Sequence, residues 1–191
     1  MKKFVFCVVS VLSLAFSVCT VVKAKADEVS LDNNVELKLL KNALVQQKQL
    51  NSLMAPVKSQ SDLYEVSMQS SALDSLTEES KQRFITSIEF NEEGVSTYYY
   101  EDLEKELTPT QIYKILSLIG VQHNITMYRN ARVESLQDTM LLNSGFSNMQ
   151  KTIAGNEYST SSYEIKDHMG YKCESRGTCV KDSGRICTSN C

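Results

Sequence analysis

Four cysteines, Cys173, Cys179, Cys187 and Cys191, fall within the last 19 residues of the chain. No other feature restricts the fold as much, because cross-links so closely spaced force a short, doubly closed segment. The spacing is C-x5-C-x7-C-x3-C. Tetrahedral zinc sites use ligand pairs about two to four residues apart. Only the last pair fits that rule, even with His168 as a further ligand. Disulfides are therefore expected and no metal is. Four cysteines allow three pairings. Asp182, Ser183 and Gly184 form a turn sequence. A three-residue loop there sets Cys179 opposite Cys187, within reach of a disulfide. Cys173 and Cys191, further out on the two arms, then pair with each other.

Disulfides need an oxidising compartment, and the N-terminus points to one. Lys2 and Lys3 precede an uncharged apolar run at residues 4–22, and Ala24, Lys25 and Ala26 fit the small-x-small cleavage pattern. Residues 1–26 are read as a signal peptide cut between Ala26 and Asp27. Ser10, Ser13, Ser17 and Thr20 interrupt the run, so no stable transmembrane anchor is expected. A lipoprotein is disfavoured, because Val18 precedes Cys19 and Phe16 stands where Leu is usual. The expected location is secreted or periplasmic, and the two-lysine start reads as bacterial.

Cleavage leaves 16 basic and 23 acidic residues. An acidic chain has no general attraction for nucleic acid, and no basic stripe with interleaved aromatics is present, so no nucleic-acid partner is expected. The charge is unevenly divided. Residues 166–191 hold five basic and three acidic side chains, against 11 and 20 in residues 27–165.

The fold class expected is mainly α with a small β-hairpin: a single helical domain at 27–154, a linker at 155–170 and a four-cysteine tail at 171–191. Residues 27–57 read as one long helix. Val35, Leu39, Ala43, Leu50 and Leu53 share a face interrupted by Gln46, and Leu37, Leu40, Leu44 and Met54 widen it. Packing of that face on the core is expected over a coiled-coil dimer, because Gln46, Gln47 and Asn51 break the seam. Residues 58–72 form a connector, of strand or helix. Ser75 to Glu78 read as a capping box for a short helix ending near Ile85. Ile88 to Tyr100 reads as a hairpin around Asn91, Glu92, Glu93 and Gly94. Thr108, Pro109 and Gln111 start a helix with Ile112, Ile115, Leu116 and Ile119 buried and Gly120 as its stop. A last helix is expected at about 127–142, carrying Val133, Leu136 and Met140.

Catalytic chemistry has few carriers. The mature chain holds only His123 and His168, with no G-x-S-x-G elbow or H-E-x-x-H motif. His123 reads as a loop hydrogen-bonder. The acids at 101, 102, 104 and 106 read as a solvated helix face rather than a glycosidase pair. No catalytic residue and no cofactor is expected. Tyr98, Tyr99 and Tyr100 are the densest aromatic cluster and the candidate partner-binding residues. The sequon at Asn124, Ile125 and Thr126 is read as accidental. These features point to an exported, non-enzymatic interaction protein with an unknown protein or cell-surface partner. The alternative is an acidic precursor of a small cationic, bacteriocin-like cysteine-rich peptide, and the third reading is a secreted hydrolase.

Overall fold

A computed structural model describes residues 33–144 and 166–191. The expected signal sequence, the expected cleavage site at Ala26 and Asp27, the expected start of the first helix and most of the expected linker lie outside them. The described residues form six α-helices, two 3-10 turns and one four-stranded antiparallel sheet. The helices are α1 (Asn33–Met54), α2 (Gln60–Gln69), α3 (Glu78–Ser87), α4 (Glu101–Glu106), α5 (Pro109–Leu118) and α6 (Leu136–Leu142). The strands are β1 (Glu89–Asn91), β2 (Gly94–Tyr99), β3 (His168–Ser175) and β4 (Thr178–Cys187), in the order β1-β2-β4-β3. No described helix is long and apolar enough to cross a membrane.

The expected hairpin is present as β1 and β2, with Asn91 opposite Gly94. The sheet is larger than that hairpin, because the cysteine segment supplies two more strands and β4 pairs with β2. Helices and sheet therefore share one core. Phe84 of α3 meets Tyr98 of β2 edge-on at 6.2 Å, and Ile186 of β4 is buried in the same cluster.

Helix α5 starts where its sequence requires. Thr108 Oγ1 accepts from Gln111 N, and Thr108 N donates to Gln111 Oε1 at 2.9 Å. Ile112, Ile115, Leu116 and Ile119 are buried. Gly120 has φ +75°, and a Cβ there would lie 2.9 Å from Ser52 Cα, so α1 packs directly on this turn. Thr108→Ala removes half of the box and is expected to destabilise the fold by about 1 kcal/mol, read as a shifted urea midpoint at constant slope.

Several expectations change. The segment at 58–72 is helical, not a strand, over Gln60–Gln69, where Ser59 caps by accepting from Asp62 N. The cap of α3 is Thr77, not Ser75: Thr77 accepts from Ser80 N, and Glu106 accepts from Thr77 N and Oγ1. The last helix is short. Its cap Ser135 and Asp138 form a capping box, and Asp138 also accepts from Thr110 N and Oγ1. Asp138 is buried while Val133, Leu136 and Met140 are exposed. The polar face turns inward because it carries the acceptor that two backbone termini need. The long helix is likewise turned over. Leu44, Asn51 and Ala55 are buried, and Val35, Leu39, Leu50, Leu53 and Met54 are exposed.

Candidate functional site

The C-terminal ribbon and a buried polar cluster beneath it form the most specialised region. β3 begins inside the stretch read as linker. The turn joining β3 to β4 is Arg176 and Gly177, with Ser175 opposite Thr178 and Gly177 at φ +76°. It is not the turn at residues 182–184. Those residues instead form a wide irregularity in β4: Met169 faces Ile186 while Tyr171 faces Lys181, so four residues of β4 oppose Gly170 alone.

The ribbon folds over at this place. Eight residues of straight strand span about 26 Å, yet the Cα atoms of Cys179 and Cys187 are 6.0 Å apart. Gly184, at φ +81°, makes the bend possible, because a Cβ there would strike the Tyr99 ring. The disulfides join Cys179 to Cys187 and Cys173 to Cys191, whose Cα atoms are 5.5 Å apart. The pairs are those the spacing predicts, but the ladder differs. Both halves of β4 pair with β3 rather than with each other. The sulfurs of Cys173, Cys187 and Cys191 lie within 4.8 Å of one another. All are committed to disulfides, so only a reduced chain offers thiolates to a metal.

Beneath the ribbon, Asp167 is held by three elements. Its Oδ2 accepts from Lys48 Nζ of α1 at 2.8 Å and from His123 Nε2 at 3.1 Å. Its Oδ1 accepts from Ser189 N. Lys48 Nζ also donates to Ser189 Oγ at 2.9 Å. The Lys48 and Asp167 side chains are 10% and 1% exposed. Burial alone would push the Asp167 carboxyl up, but the attraction of His123 and Lys48 and their hydrogen bonds outweigh it and hold it well below the usual range. Burial pushes the His123 imidazole down against the pull of Asp167, and Lys48 adds to the lowering. A neutral imidazole facing a carboxylate must carry its proton on Nε2.

The chemistry this permits is fastening. Ser189 beside Lys48 resembles the start of a Ser-Lys nucleophile, but that reaction needs a neutral amine to take the hydroxyl proton. Lys48 Nζ instead donates to Ser189 Oγ and to Asp167 Oδ2, so it is not placed to take the hydroxyl proton. The four partners come from residues 48, 123, 167 and 189, and no local motif links them. Of the four, the sequence points to His123 alone, as a loop hydrogen-bonder.

The other sequence candidates are structural as well. Tyr98 is fully buried, and its Oη accepts from Asn124 Nδ2 at 3.1 Å. Burial pushes its phenol well above the ordinary value. Tyr98 is therefore corrected from binding residue to core residue, and Asn124 is too buried to carry a glycan. Tyr100 packs edge-on against Tyr128 at 6.2 Å. Tyr99 is partly exposed and donates to Glu101 Oε2 at 2.8 Å, a bond that, with burial, pushes its phenol up to about 12. Tyr99 and Tyr100 are both half-buried, so of the three only Tyr98 is enclosed. The acids of α4 are braces rather than a solvated face. Asp102 takes Arg83 in two bonds, Glu104 accepts from Asn130 N, and Glu106 holds the start of α3. His168 meets Tyr171 edge-on with ring centres 5.8 Å apart.

No family model matches the chain, and no curated protein or solved structure is significantly similar to it.

Proposed function

We propose that the chain is an exported, non-enzymatic interaction protein whose disulfide-closed ribbon is a permanent part of its body. The observation that carries this reading is the burial of Ile186, Cys187 and Thr188 against that body. β4 stands between β2 and β3, so detaching the ribbon would strip one side of β2 and pull Ser189 away from Lys48 and Asp167. Both effects disfavour release of the tail as a peptide. The best-formed polar cluster is sealed and fastens elements together, which favours binding over hydrolysis. The large apolar side chains left outside on α1, α2 and α6 supply contact surface. Export rests on the signal-like N-terminus and on the disulfides, and a bacterial source on the two-lysine start.

The test is the intact mass, under non-reducing conditions, of protein from the culture medium and the periplasm. The expected species starts at Asp27, retains Cys191 and is four hydrogens lighter than the reduced chain, as two disulfides require. A separate C-terminal fragment would establish the precursor reading instead. An uncut chain, or one starting at Cys19, would replace export by anchoring.

A further inference from the structure

We infer that the outward face of α1 is a self-association surface that pairs with a second copy of the same chain. At about 100° per residue, Val35, Leu39, Gln46, Leu50 and Leu53 fall within an arc of about 60°. Leu44, Asn51 and Ala55, the residues buried on the body, occupy the opposite side. The helix therefore has an outward apolar face, opposite the side packed on the body, that the described residues do not cover. Leu39 is 58% exposed, Leu50 54%, Leu53 68% and Met54 80%.

Area, charge and symmetry favour a second copy as the occupant. Four large, half-exposed apolar side chains in one stripe, with Met54 beside it, approach the 300–600 Å² or so of the largest patch on a typical monomer. Two such stripes face to face approach the roughly 1,000 Å² total that a specific interface needs. The chain is acidic, with 23 acidic and 20 basic residues even before any cleavage, so two copies repel except where their contact is neutral. The arc from Val35 to Leu53 contains no charged residue. Gln46, the one polar residue in the arc, lies near its middle and hence near the axis of a two-fold pair. A group on that axis must match itself. An amide does, because it both donates and accepts, whereas a carboxylate or ammonium would meet its own charge. A single polar residue in an apolar seam is also a known means of fixing register.

The test is sedimentation equilibrium of the oxidised exported protein at about 1–100 µM, beside Leu39→Glu and Leu50→Glu. Wild type is expected to sediment with twice the chain mass in the upper part of that range. Each variant is expected to weaken association by more than about 100-fold, because it places a carboxylate in the seam. Both positions are exposed, so far-UV circular dichroism and melting of the dilute monomer should be unchanged, and a variant that fails this control is replaced by Leu53→Gln. A monomer throughout the range would overturn the proposal, whether another segment of the chain or a different protein covers the face. A dimer that survives both substitutions would overturn it as well.

Discussion

Full reduction of the two disulfides is expected to destabilise the oxidised protein by about 5 kcal/mol. The bridges close loops of 18 and 8 residues' separation. Loop-closure entropy assigns them about 3 and 2.5 kcal/mol, and nesting makes the sum an upper value. Whole domains are stable by only about 5–15 kcal/mol, so the loss is a large share of the total. For a chain of this size it corresponds to a fall in Tm on the order of 10–20 °C. Melts followed by circular dichroism, with and without a phosphine reductant and with thiols counted, check it. Four titrated thiols with an unchanged melt would show that the bridges do not hold the ribbon. The single variants should rank against loop length. Entropy favours the outer bridge by only about 0.5 kcal/mol, but Cys187 is fully buried, and a buried unpaired hydroxyl costs about 1–3 kcal/mol. Cys187→Ser is therefore expected to be the more damaging, and Cys173→Ser, at a half-buried position, the milder.

Asp167→Asn is expected to lower stability by about 3–5 kcal/mol, the range for removing one partner of a buried ion pair. The variant keeps the shape but turns one acceptor oxygen into a donating amide and removes the carboxylate charge that faces the buried Lys48 ammonium. Adding Lys48→Met should recover part of the loss, because the buried charge is then gone. Urea unfolding of the two single variants and the double supplies the cycle. A double variant less stable than Asp167→Asn alone would show that the buried charge is not what costs stability.

The same cluster sets a pH dependence. Stability resting on ionised Asp167 is present above the ordinary carboxylate value of about 3.9 and is lost as pH falls through the depressed folded value. His123 acts earlier. Burial holds its folded pKa down, so below about pH 6.5 the unfolded imidazole takes a proton that the folded one refuses. Stability should then fall toward pH 5 by at most about 1.4 kcal/mol per pH unit, a slope that His123→Gln removes.

What was legible in the sequence was local chemistry. The capping box at Thr108 and Gln111, the buried face of α5, the stop at Gly120 and the hairpin around Asn91 and Gly94 depend on groups a few residues apart, and all are present. The cysteine pairs were legible for a related reason, since short spacings leave few ways to close two loops. The turn was misplaced because Arg176 with Gly177 and Asp182 with Gly184 are both turn sequences, and the choice depends on what each half of β4 pairs with. That is decided by β2 and β3, from elsewhere in the chain.

Local residue patterns suffice for which helix faces are apolar, where α5 starts and stops, and which cysteines can meet. Which faces lie inside depends on packing between distant segments. Val35, Leu39, Leu50 and Leu53 form the better stripe by pattern, yet α1 buries the side carrying Leu44, Lys48 and Asn51. Only that side can bring an ammonium to Asp167 and lay backbone against Gly120. Periodicity measures how apolar a face is. Orientation follows from which face has a partner, and the partners of α1 stand about 70 to 140 residues away.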